Sequence, residues 1–377
     1  MRGNDVVVIG AGAIGSAVAW RCAQRGLSVT LVDPDPGRGA WHTAAGMLAP
    51  ITELHYTETP LLRLNLDSLA RYPDFAAEVA AESGLPTGFQ PCGTVFAAWD
   101  GADFAALCDL QTFAAQLGVD SQLLTGRELR ELEPAVAPGL PGALFAPGDH
   151  QVDPRLLHAA LLEAGRRRGV KLVESSGALL VDHGRVRGVR VAGGAVLAGK
   201  HVVLAAGCWS GQVEGVPPDA HAPVRPVKGQ TLRLRLPGRP RLGRVLRAAV
   251  KGSPVYLVPR SDGAIVVGAS VEERGFDQEP RAGAVYELLR DAQSVLPELG
   301  EAVLDEVSTG LRPGSPDNAP LVGPTPVDGL IHATGHYRNG ILLTPVTADG
   351  IAALIADGAL PSVLAPFSPS RFAEEVA

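Results

Sequence analysis

Apolar positions along the chain change period several times, and each change predicts an element. Residues 6–9 (VVVI) form an unbroken β-branched run, the pattern of a strand buried on both faces of a parallel sheet. Ala17, Trp20 and Cys22 follow at helical spacing, which predicts a helix over 13–25 that Gly26 ends. "LSVTLVD" predicts a second strand stopping at Asp33. Leu62, Leu66, Leu69, Phe75 and Val79 predict a helix over 60–82 that Pro73 interrupts. "GTVFAAW" reads as a strand and 102–117 as a helix, and "EPAVAPGLPGALFAPGDHQVDP" reads as a Pro/Gly-rich crossing. Asp153 and Pro154 suit the N-cap and first position of a helix that reaches Arg168. "VKLVES" and "GVRVAG" flank a turn at 182–184, and "HVVLAAGCWS" carries a strand over 201–205 with small residues after it. "QTLRLRL", "SPVYLVPR" and "GAIVVGAS" are strands, the first alternating as on a sheet with one wet face. Helices over 282–296 and 345–357 complete the pattern.

The glycines give this pattern chemical meaning. Gly10, Gly12 and Gly15 fit G-x-G-x-x-G directly after a strand and at the start of a helix. The first permits a tight turn, the second lets backbone approach a pyrophosphate, and the third lets helix pack on strand. Asp33 ends the next strand, where a carboxylate accepts the ribose hydroxyls of an adenosine. The order predicts dinucleotide binding, and an acid at this position makes NADP the least favoured dinucleotide. NAD and FAD remain open on this unit alone.

Composition narrows the class. The 377 residues suffice for two domains, and a net charge of −7 without a basic stripe argues against nucleic acid. Arg166–Arg168 read as the solvated end of a helix. Cys22, Cys92, Cys108 and Cys208 are scattered and read as buried small hydrophobes in a reducing compartment. The nine histidines form no ligand-spaced pair, so no metal is expected. The chain shows neither a signal-peptide pattern at its N-terminus nor a run of ~20 apolar residues, and the expectation is a cytoplasmic protein without membrane contact. There is no second βαβαβ half close behind the first. The nucleotide unit is interrupted by sheets and resumes near the C-terminus, a layout that favours FAD.

"VVIGAGAIGSAVAWRCAQRG", "AAGMLAP", "VVLAAGCWS", "PVKGQ", "VYLVPR", "GLRPGSPDNAPLVG" and "GHYRNGILLTP" occur in this order over nearly the whole chain. Together they resemble the FAD-dependent D-amino-acid oxidase superfamily, and within it the glycine-oxidase branch; the last two stretches are the most specific. The resemblance implies an α/β fold with an α+β second domain. A discontinuous glutathione-reductase-type Rossmann domain would bind FAD, over 1–87, 151–222 and 306–365. An inserted substrate domain on an antiparallel or mixed sheet would span 88–150 and 223–305, and 366–377 would form a C-terminal tail. FAD would be non-covalent, since the last cysteine is Cys208 and the late tethering cysteine of sarcosine oxidases has no counterpart.

The resemblance also implies the chemistry: hydride transfer from the α-carbon of glycine, or of a small amine or D-amino acid, to flavin N5. An imine would form, then glyoxylate, ammonia and H2O2 with O2 as acceptor, and the imine would serve thiamine thiazole synthesis. Arg312 is placed as the bidentate carboxylate ligand. Tyr256 is placed as a second carboxylate donor, with Arg338 and Met47 also at the substrate. The cofactor set would be Gly10, Gly12, Ala13, Ile14, Gly15, Asp33, Pro34, Thr43, Ala45, Gly46, Met47, Ala178, Val181, Ala206, Gly207, His336, Tyr337, Arg338, Asn339, Gly340, Ile341 and Leu342. The N-terminus of the last helix would stabilise charge developing at flavin N1–C2=O. No general base is nominated; His336 is expected to be structural, as is Lys228. Pro254 stands where some relatives carry a polar residue, which leaves glycine, sarcosine and D-amino acids open as substrates. Two alternatives are a D-amino-acid or sarcosine oxidase or dehydrogenase, and a non-catalytic FAD-binding accessory protein. A homotetramer is a family expectation.

Overall fold

A computed structural model describes residues 3–237 and 242–372. The outer ends of the expected first segment and tail, residues 1–2 and 373–377, lie outside the described residues. Two eight-stranded sheets organise the chain. The first runs Leu321–Pro324, Leu330–Thr334, Val196–Leu204, Asn4–Ile9, Val29–Asp33, Lys171–Glu174. All neighbours on this path are parallel except Leu321–Pro324, and a hairpin of Gly177–Asp182 and Arg185–Val191 joins through Val196–Leu204. The opening apolar run is continuous because it faces two cores. Val6 and Val8 pack among the helices Ala13–Gln24, Thr59–Ser83, Pro154–Arg167 and Thr344–Asp357. Val7 and Ile9 pack among Leu179, Val186 and Val189 of the hairpin.

The second sheet is mixed and runs Val303–Gly314, Arg225–Arg235, Ala264–Gly268, Ser253–Pro259, Val245–Val250, Thr94–Ala98, Gly142–Ala146, Gln122–Thr125. Its alternation sorts two faces. Leu232, Leu234, Leu257 and Val267 pack against Leu288, Ala292 and Val295 of the helix Ala282–Val295. Residues of the other parity, among them Gly229, Thr231, Tyr256, Gly310 and Arg312, line a cavity against the first sheet. The second sheet therefore roofs the site.

Three readings need correction. The Pro/Gly-rich crossing contains the strand Gly142–Ala146, whose five residues pair between Thr94–Ala98 and Gln122–Thr125. The expected boundary at 306 falls inside the strand Val303–Gly314, which pairs with Arg225–Arg235 along its whole length. Pro73 does not interrupt its helix: Thr59–Ser83 is continuous, held by burial of Leu61, Leu64, Tyr72, Phe75 and Val79 on both sides of it. Residues 366–372 are also less tail-like than expected, since Phe367 is buried and Arg371 pairs with Asp317 at 2.9 Å. No single helix among the described residues is long and apolar enough to cross a membrane.

Candidate active site

A cavity of about 850 Å³ lies between the sheets. The glycine-rich turn lines part of it. Gly10 has φ +107°, and a Cβ there would lie 2.4 Å from the Ala205 carbonyl oxygen; at Gly15 it would lie 1.9 Å from that of Gly10. Both glycines serve the protein's own packing. Gly12 differs: a Cβ would meet only Trp41 Cδ1, at 3.7 Å, so what Gly12 leaves bare is the cavity. Gly12 is also the N-cap of Ala13–Gln24 and offers no side-chain cap, so the first-turn N–H groups are free for an anion. The Asp33 carboxylate accepts from Ala11 N at 2.7 Å and from Asp35 N at 2.8 Å, which fixes it at the cavity wall with lone pairs to spare. His158 Nε2 meets the Ala11 carbonyl at 2.7 Å and its ring stacks on Trp41 at 3.7 Å. Burial holds the His158 imidazole down at about 4, so it is neutral.

The segment 336–343 forms another wall. Leu342 O accepts from Ser68 Oγ at 2.6 Å and Ile341 O from Tyr72 Oη at 3.0 Å, both from Thr59–Ser83. Both residues are buried, and among the described residues nothing accepts from their backbone N–H groups. Ile341 lines the cavity, and an orphan donor there fits a carbonyl-rich or anionic ring edge. His336 Nε2 lies 3.0 Å from Thr347 Oγ1, and burial pushes the imidazole down to about 3. It is neutral. Arg260 holds the small-residue segment from beneath, donating to the carbonyls of Ala45 and Val152 and to Gln151 Oε1.

The roof carries Arg312 and Tyr256. Arg312 Nη1 donates to Ser270 O at 3.1 Å and Lys228 O at 3.3 Å, and among the described residues no carboxylate pairs with it. Gly229 makes room for the guanidinium: a Cβ there would lie 2.4 Å from Nη1. Gly268 does the same for Tyr256, whose hydroxyl would lie 2.4 Å from such a Cβ. Burial pushes the Tyr256 phenol up to about 12, against the pull of Arg312, so it remains a hydrogen-bond donor. A fork of N–H donors beside a phenolic O–H can hold a carboxylate.

Of the residues singled out in the sequence, Gly10, Gly12, Ala13, Ile14, Asp33, Pro34, Thr43, Ala45, Gly46, Met47, Ala178, Ala206, Gly207, Tyr256, Arg312, His336, Tyr337, Arg338, Gly340 and Ile341 line this one cavity. Gly15, Val181, Asn339 and Leu342 do not. Gly15 and Asn339 are enclosed by protein, and Val181 packs into the hairpin core. Leu342 turns its side chain into the helix layer. Arg338 lines the cavity but is ion-paired with Glu58. Glu53, Trp41, Trp209 and Gln278 line the cavity too, and nothing in their local sequence marks them.

The sequence profile of the family described as FAD dependent oxidoreductase (DAO) matches residues 5–354. The chain is 34% identical over 370 residues to a glycine oxidase of Geobacillus kaustophilus, covering 97% of each. The crystal structure of the glycine oxidase from that organism superposes with a TM-score of 0.89 over 98% of both chains. A bifunctional protein ThiO/ThiG of Synechocystis sp. is 35% identical over 98% of this chain; the chain spans about half, 54%, of that relative's length. With a family match over nearly its whole length, this chain belongs to the FAD-dependent oxidoreductases of the D-amino-acid oxidase family, and its cofactor is FAD.

Proposed function

We propose that the protein oxidises glycine, and other small amines and D-amino acids, in the overall reaction glycine + O2 + H2O → glyoxylate + NH3 + H2O2. The observation that carries this reading is that Arg312 and Tyr256 line the same cavity as Gly12, Ala13 and Asp33. The names of the full-length relatives support it. The first sheet and its helices would form the FAD-binding part, and the second sheet the substrate part.

In this reading the first-turn N–H groups at Gly12–Ile14 hold the pyrophosphate and Asp33 holds the ribose. Bound there, FAD supplies a two-electron acceptor for the substrate's α C–H bond. Arg312 fixes position and rotation of the substrate carboxylate, and Tyr256 donates its O–H to the same group. The free N–H group of Ile341, a cavity-lining residue, stands ready for developing negative charge there, already oriented and at no cost in reorganisation. His336, neutral and bonded to Thr347, takes no proton. Water attacks the released imine to give glyoxylate and ammonia. The same imine is what thiamine thiazole formation consumes, and thiamine auxotrophy of a deletion strain tests that role. A cytoplasmic location accords with four free cysteines. Self-assembly belongs to the same proposal, and sedimentation velocity tests it.

The test of the reaction is an anaerobic screen of flavin bleaching with glycine, sarcosine, D-alanine and D-proline, alongside aerobic peroxide formation. Glycine should bleach the flavin and yield H2O2. A clear preference for D-alanine or D-proline would move the substrate to the D-amino acids. Bleaching without peroxide would make the protein a dehydrogenase. Failure of every small amine to bleach the flavin would defeat the reading as an enzyme of this class.

A further inference from the structure

The carboxylate fork accounts for one end of an amino acid. The cavity also contains an acid that the reading above leaves unused. Glu53 lines the cavity together with Tyr256, Arg312 and Arg338, and its side chain is only 19% exposed. Among the described residues no donor hydrogen-bonds to its carboxylate. Its nearest cation is Arg247, with Nη1 at 3.8 Å, and the closer partner of that guanidinium group is the Thr52 carbonyl.

The other charges nearby are already matched. Arg338 is paired with Glu58, so it does not neutralise Glu53. Asp33 accepts two backbone N–H groups at the nucleotide end. Glu53 thus stands as an acid whose hydrogen-bonding capacity is free, in a cavity where Arg312 is a cation without an acidic partner. Both charges bear on the Tyr256 hydroxyl, Arg312 favouring its ionisation and Glu53 opposing it.

The backbone beneath Glu53 is rigid. Asp149, fully buried, accepts from Ile51 N at 3.1 Å, Thr52 N at 2.8 Å and Thr52 Oγ1 at 2.7 Å. Arg247 closes the same turn through the Thr52 carbonyl and packs its guanidinium 4.8 Å from the Phe96 ring. A carboxylate with free lone pairs on so fixed a support is a specificity element: it accepts N–H and repels a second anion.

We propose that Glu53 is the residue that recognises the substrate's amino group, so that Arg312 with Tyr256 and Glu53 together read the two ends of a small amino acid. The inference rests on the amino-acid reading above and deepens it. Glu53 accepts a hydrogen bond from the amine N–H whether that amine is charged or neutral. It also disfavours ligands that would place a second carboxylate where the amine sits.

The experiment compares ligands with and without an amine on FAD-loaded protein. Glycine affinity is read from the concentration dependence of anaerobic flavin reduction. Acetate and propionate, which carry the acid group with neither amine nor hydroxyl, are read from their perturbation of the oxidised flavin spectrum. In Glu53→Gln the apparent Kd for glycine should rise at least about tenfold, while those for acetate and propionate stay within about twofold or tighten. Parallel changes for all three ligands, or no change for glycine, would overturn the assignment. Glu53→Met, which leaves no buried polar group unpaired, is read the same way if the glutamine variant fails to retain FAD. A wild-type flavin that no amino acid reduces would defeat the functional reading itself. A wild type that glycine reduces, with unaltered discrimination in the variants, would defeat only the role of Glu53.

Discussion

Replacing Gly229 by alanine tests the placement of Arg312 without touching Arg312. Gly229 lies in the strand Arg225–Arg235 opposite Gly310, with backbone dihedrals open to any L-residue. An alanine Cβ would stand 2.4 Å from Nη1, 2.5 Å from Nη2 and 2.6 Å from Cζ of Arg312. Ordinary contact begins near 3.4 Å, so the guanidinium must retreat by about 1 Å, the difference between 3.4 and 2.4. Its bonds to Ser270 O and Lys228 O would be lost or lengthened in the process. The obstacle is the far end of a flexible side chain, so the cost to folding stays at the low end of roughly 1–3 kcal/mol for overpacking. A misplacement of ~1 Å in a positioning group costs on the order of a hundredfold in rate, or about 2.7 kcal/mol of transition-state stabilisation. The expected result is kcat/KM for glycine down about a hundredfold with FAD content unchanged. Peroxide formation gives the kinetics, and acetate titration of the flavin spectrum gives carboxylate binding separately. A variant that holds FAD and keeps kcat/KM within about threefold of wild type would show that the guanidinium does not grip the substrate.

Three further outcomes follow from the same geometry. Arg312→Lys keeps the charge but not the fork, and should raise KM for glycine by roughly ten- to a hundredfold, the worth of one charge-assisted hydrogen bond; an unaltered KM in steady-state assays would remove Arg312 from the substrate site. Gly12→Val meets little protein, so apoprotein melting should shift slightly while FAD retention on gel filtration is lost; full FAD retention would refute the cradle. His336, His158 and His332 are held by burial at about 3, 4 and 4, below the usual 6.5. The unfolded chain therefore binds protons below pH ~6.5 that the folded chain does not, and the stability they contribute is present above that pH and lost on acidification. Between pH ~6 and ~4 each costs roughly 1.4 kcal/mol per pH unit, and His336→Asn should flatten the pH dependence of the melting temperature; parallel curves would contradict the assignment.

The nucleotide unit was legible because its signals are local. Strand, glycines, helix and Asp33 lie within thirty-three residues, and the structure places Gly10, Gly12 and Asp33 on one cavity wall. Arg312 and the 336–342 segment were legible through the likeness of whole motifs. What escaped depends on partners far away in sequence. Arg338 meets Glu58 across 280 residues and Arg260 meets Ala45 across 215. Glu53 shares its cavity with Tyr256 and Arg312, which lie far along the chain. The strand Gly142–Ala146 is only five residues among prolines and glycines, and its identity comes from the neighbours it pairs with.

The glycines show most clearly why sequence alone stops short. Gly10, Gly12 and Gly15 form one motif yet answer different needs: the first and third are pressed against Ala205 and Gly10 carbonyls, and the second faces open space. Gly229, within PVKGQ, and Gly268 sit in strands, where glycine weakens pairing. Each is placed where a side chain would displace Arg312 or Tyr256. A glycine in a strand is therefore a record of what lies across from it. Three kinds follow here, one set by the fold, one by the open cavity and one by the Arg312 and Tyr256 side chains. Alanine should destabilise the first kind, a bulkier residue should release FAD from the second, and alanine should slow turnover in the third while sparing both fold and flavin.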